Sequence, residues 1–181
     1  MINTNSAIAR ILLNYLFLNT AEELYTNQIV SKFGLDKRNL VKKIKELEKE
    51  GIIKSREMGN IRLFSINKDY PLYKEYKTII LKSSGIETEL KELLKKQKKV
   101  SEAYIFGSYA TDKMGEHSDI DVLVVGGHSI YNLQKEVDKL QKLYGREINI
   151  VNMDEKDYNN KKKKNDPFVN KILKGKHIKI I

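Results

Sequence analysis

The chain has no cysteine. That excludes disulfides and thiolate-bound metals. No stretch approaches the roughly 18–20 consecutive apolar residues that a membrane span needs. A membrane partner is therefore not expected. The opening "MINTNSAIARILLNYLF" lacks a basic leader and a small-residue cleavage site. It reads as a helix of the mature protein, with the cytoplasm as the expected location. Proline is scarce, with two in 181 residues, and Pro71 marks a break. Low complexity is confined to "NNKKKKND" at 159–166, and there is no internal repeat.

Positive charge is in excess. Lys and Arg number 34 against 24 Asp and Glu, a net charge of +10 at pH 7. Before Ser84 there are 15 basic and 9 acidic residues, and from Ser84 onward 19 and 15. Both parts are basic, which favours nucleic acid or nucleotide as partner.

Apolar residues recur at helical spacing over 6–19, at Ile8, Ile11, Leu12, Tyr15 and Leu16. A short amphipathic helix follows and stops at Gly34. Asp36 is placed to cap a third helix, whose stripe is Leu40, Val41, Ile44 and Leu47. The period then changes to two around Gly59-Asn60, a hairpin signal. Three helices and a hairpin are the order of a winged helix-turn-helix, expected over 1–70. A linker or helix is expected over 71–85. Beyond it, strands at 100–106, 119–126 and 146–151 alternate with helices, the longest carrying Ile130, Leu133, Val137, Leu140 and Leu143 on one side. That pattern implies α/β-type layer packing in an α+β chain.

If the third helix enters a major groove, its outer face offers Arg38, Asn39, Lys42 and Lys43 to double-stranded DNA. Arg and Asn can pair with base edges, whereas Lys mostly meets phosphate. Arg56 and Arg62 on the wing suit phosphate or minor groove. A homodimer is the expected state of such a regulator.

"GSYATDKMGEHSDIDVLVV", residues 107–125, carries the chemistry. Gly107 has no Cβ, so a phosphate can come close to its backbone. Ser108 sits where a helix begins and offers a hydroxyl near free N–H groups. Ser118 precedes Asp119. Asp119 and Asp121 are two apart on a strand, hence on one face. Carboxylates so placed could bind Mg²⁺ together with substrate phosphates.

Gly107-Ser108, ten residues, then Asp119-Ile120-Asp121, with "YIFGS" in front, resembles the signature of the DNA polymerase beta-like nucleotidyltransferases, and of their minimal branch. The resemblance covers roughly 86–181. It implies a small mixed central sheet flanked by helices, an NTP donor (ATP foremost), Mg²⁺ and an acceptor hydroxyl on protein or RNA. It also implies a third carboxylate within a pattern like Arg-X-hydrophobic-Asp-hydrophobic. Here that segment is "REINIV", and the matching catalytic position is Asn149. An amide is no useful base. Glu147, two residues earlier, would have to reach about 6.6 Å along the strand to replace it.

Two readings follow. One is a magnesium-dependent nucleotidyltransferase with a DNA-binding domain, an antitoxin-like regulator working beside a small helical partner of the HEPN type. The other is a weakened or inactive nucleotidyltransferase fold that binds DNA and senses NTP. Among the remaining residues, His117 reads as a solvated loop residue and Lys161–Lys164 as a solvated loop. His128 and His177 lack metal-site spacing. Arg146 could pair with triphosphate or with Glu147. Tyr104 and Phe106 read as core.

Overall fold

The computed structural model describes residues 6–181. The first five residues, read above as leading into a helix without a basic leader, lie outside the described residues. Two compact units divide the chain, Met1–Thr88 and Glu89–Ile181.

In the first unit α1 (Ala7–Leu18) buries residues on every side, from Ala9 through the run Leu12–Leu18. A helix apolar all round belongs in a core. Next come β1 (Leu24–Tyr25), α2 (Thr26–Phe33) and α3 (Lys37–Lys49). Asp36 caps α3 by accepting from the Asn39 N–H at 2.8 Å. Leu40, Ile44 and Leu47 are buried while Val41 is half-buried. β2 (Ile53–Met58) and β3 (Ile61–Ile66) pair antiparallel around Gly59-Asn60, and β1 adds to β3. Helix, helix, helix and hairpin thus occur in the expected order. Residues 71–85 hold α4 (Tyr73–Ser84), which packs on α1.

The second unit is built on a mixed four-stranded sheet in the order β6-β5-β4-β7. α5 (Ile86–Lys96) leads to β4 (Val100–Phe106), the one-turn α6 (Gly107–Ala110) and β5 (Ile120–Gly126). α7 (Ile130–Tyr144) then crosses over to β6 (Ile148–Met153), which runs parallel to β5. A parallel pair requires such a crossover. α7 buries Leu133, Val137, Leu140 and Tyr144. Ile130 and Leu143, expected on that stripe, are instead exposed, because Ile130 opens the helix and Leu143 lies to the side of the stripe that Tyr144 completes.

α8 (Glu155–Lys163) and α9 (Pro167–Lys174) follow, and β7 (Ile178–Lys179) pairs with β4. α8 is a correction, since its lysines read as a solvated loop. Asp154 caps it, Glu155 and Asp157 occupy the first turn, and Lys161–Lys163 the last. Charges so ordered favour the helix dipole at both ends. Lys161 also pairs with Asp157 at 2.8 Å, and Tyr158 anchors the helix at 1% exposure.

One sheet face positions everything below. Tyr104, Leu123, Val125 and Met153 project from it into a cluster with Tyr158 of α8 and Val169 and Ile172 of α9.

Candidate active site

The site is the polar end of that apolar face. In the ladder Asp121 lies opposite Phe106 on β4 and opposite Asn149 on β6. Two residues further along, Leu123 lies opposite Tyr104 and Val151. Strand period two therefore puts Phe106, Asp121 and Asn149 in one row, adjoining the core row of Tyr104, Leu123 and Val151.

Gly107 adopts φ +73°. A side chain is strained there, and a Cβ would also overlap the Asp121 carboxylate at Oδ2. The backbone at Gly107 and the Asp121 carboxylate are thus packed together. Asp119 stands just before β5, and its Oδ2 accepts from the Asn149 Nδ2 at 2.9 Å. Burial pushes the Asp121 carboxyl above the usual carboxylate range, the nearby Asp119 charge adds to this, and an Asn149 hydrogen bond opposes it. Three sequence-picked residues, Asp119, Asp121 and Asn149, therefore form one cluster. Asn149 acts in it as a donor toward carboxylate.

This set fits one hard divalent cation. It offers two carboxylates under mutual repulsion, an amide carbonyl beside them and a backbone cradle with no Cβ. It does not supply a third carboxylate. Among the described residues no group of three or more His, Asp or Glu side chains could hold a metal. Glu147, just before β6, is therefore not gathered with Asp119 and Asp121 into such a group.

The loop before Asp119 is held by Arg146, which is 8% exposed. Its guanidinium donates to the carbonyls of Gly115 and Ser118 at 3.3 Å, and to that of Glu116. Of the two roles open to Arg146 in the sequence, neither describes these bonds. They run to backbone, and sequence spacing carries no signal for a clamp 28 to 31 residues away. The Ser118 hydroxyl accepts from the Gly115 N–H at 2.8 Å, so it too braces the loop. Ser108 lies half-buried in α6 beside Gly107. His117 is exposed. His128 shares a hydrogen bond with Asn152 at 2.7 Å. His177 stacks edge-on to Tyr104.

The six residues named for DNA fall into two groups. Arg38, Asn39 and Lys42 are exposed on α3. Lys43, Arg56 and Arg62 are engaged within the chain. Lys43 pairs with Glu46. Arg56 donates from Nε to both carboxylate oxygens of Glu23 at 2.9 Å. Arg62 donates to Glu48 at 2.6 Å and to Ser55 at 2.9 Å.

Sequence reasoning missed Phe168. It sits at the start of α9, 39% exposed, with its ring 5.9 Å from that of Phe106 and nearly perpendicular to it. Asp166-Pro167 was the available signal for where α9 begins.

Known proteins resemble part of this chain. A Methanocaldococcus jannaschii chain that carries the name protein adenylyltransferase is 30% identical over 97 residues, covering 48% of this chain and 89% of that one. Two solved structures align more loosely. One is a toxin-antitoxin with AMP-PNP, 24% identical with a TM-score of 0.33, over 37% of this chain and 56% of that one. This chain thus spans little more than half of it. The other, from Sulfolobus solfataricus, is described as a nucleotidyltransferase and is 22% identical with a TM-score of 0.28, over 43% of this chain and 68% of that one. Residues 85–180, just over half of the chain, match the nucleotidyltransferase domain family, and the chain belongs to it.

Proposed function

We propose that the second unit transfers an NMP group, AMP foremost, from NTP to a hydroxyl, breaking the bond between the α- and β-phosphates so that pyrophosphate leaves and the hydroxyl proton passes to solvent, and that the first unit is a winged helix that binds duplex DNA. The observation carrying the transferase reading is the packing of Gly107 against Asp121, with Asp119 beside it in the family-matched segment. Gly107 and Ser108 would meet the triphosphate, with Ser118 bracing the loop. Asp119 and Asp121 would hold the divalent cation, Mg²⁺ in this proposal, which would offset the charge of the triphosphate. Arg146 fixes the loop that delivers Asp119. Asn149 orients Asp119 and takes no proton. A protein hydroxyl is the favoured acceptor, on the name of the Methanocaldococcus relative.

Exposed Arg38, Asn39 and Lys42 support DNA as a partner of the first unit. The family resemblance adds a small helical HEPN-type partner in an antitoxin-like role, and the winged-helix reading adds a homodimer. A second reading is favoured by Asn149 itself. With the third carboxylate replaced by a donor, the site would hold NTP without turnover, and the protein would act as an NTP-sensing regulator.

Label transfer from α-labelled ATP with Mg²⁺ and cell extract tests the pair. Label in wild type, lost in Asp121→Ala, supports the transferase. Label only in Asn149→Asp supports the regulator. Equal label in wild type and Asp121→Ala refutes this site.

A further inference from the structure

We infer that Phe168, resting on Phe106, is the shelf on which the nucleotide's base stacks; the inference builds on the nucleotidyltransferase reading above. Phe106 is the direct ladder partner of Asp121. Its side chain therefore stands on the same face, one strand spacing of about 4.8 Å away. Phe168 meets it edge to face at 5.9 Å. The other aromatics of this face are closed to solvent, with Tyr104 at 5% and Tyr158 at 1% exposure, whereas Phe168 keeps 39%.

The ring is also held in place. Asp166 accepts from the N–H groups of Phe168 and Val169, at 3.0 and 3.1 Å. Pro167 sets the entry into α9, and buried Val169 and Ile172 pin the helix to the sheet. An aromatic surface on an anchored helix, beside the carboxylate row and Gly107, matches the shape of a nucleotide with its cation, charged at one end and flat at the other. Stacking uses the π-face that every base has, so the shelf adds affinity without choosing among bases.

Calorimetry on the full chain with Mg²⁺ compares ATP with tripolyphosphate, which has no base. Phe168→Leu keeps an apolar contact with Phe106 and removes the ring. It should weaken ATP about tenfold and leave tripolyphosphate unchanged. Phe168→Trp should bind ATP at least as tightly as wild type. Wild type that binds both probes, with Phe168→Leu lowering both equally or neither, overturns the shelf alone. Loss of ATP binding in a folded Phe168→Trp overturns it as well. Wild type that binds neither probe overturns the nucleotidyltransferase reading and the shelf with it.

Discussion

Gly107→Ala separates backbone strain from side-chain crowding. At φ +73° a residue with a Cβ costs about 1–2 kcal/mol. The new Cβ would also overlap Asp121 Oδ2, and forcing a packed neighbour aside costs about 1–3 kcal/mol more. Asp121→Ala removes the carboxylate. The nearest remaining atom of residue 121 is then its Cβ, 3.6 Å from the added methyl, an ordinary contact. Gly107→Ala should therefore cost about 2–5 kcal/mol in wild type but only about 1–2 kcal/mol in the Asp121→Ala background. Native-state hydrogen exchange at the amides of Val122–Val125 reads the local free energy, without assuming that both units unfold together. Equal losses in the two backgrounds would refute the seating of Asp121 against Gly107.

Two further expectations concern charge. Burial raises the phenol pKa of Tyr104 and Tyr144 above the ordinary 10.0, with help at Tyr104 from a hydrogen bond to Glu102. Their contribution to stability is complete below the unfolded value and is lost as pH rises toward the raised folded values. Each should add about 1.4 kcal/mol per pH unit to the alkaline loss, and melting curves of Tyr104→Phe and Tyr144→Phe should show a shallower decline above about pH 10. In the first unit, Glu23→Gln and Glu48→Gln release Arg56 and Arg62. Under the DNA-binding proposal each should tighten binding and steepen the salt slope by about one, whereas unchanged slopes in a salt titration would exclude these arginines from the interface.

Local signals were legible in the sequence. Asp36 and Gly34 marked helix ends, and period two put Asp119 and Asp121 together. Contacts made across the chain were not. Arg56 meets Glu23 33 residues away, and Phe168 reaches Phe106 of β4 from α9, with nothing in either neighbourhood to signal the pair. The lysine run of α8 misled because charge runs usually sit in loops, whereas these lysines are solvated on a helix. Its order of acid before base, behind Asp154, was the overlooked cue. Asn149 was found by its place in a pattern, but its role as donor to Asp119 needed the β5–β6 register.

The crossover through α7 has a consequence for the order of assembly. The connection from β4 to β5, residues 107–119, is shorter than the one from β5 to β6, residues 127–147. The longer connection holds the fifteen-residue α7. Pairing at long sequence separation is entropically the slower event. The two carboxylates belong to one strand segment and face the same side as soon as it extends, before the amide that relieves Asp119 arrives from β6. The last step of sheet building in this region is also the step that calms its charge.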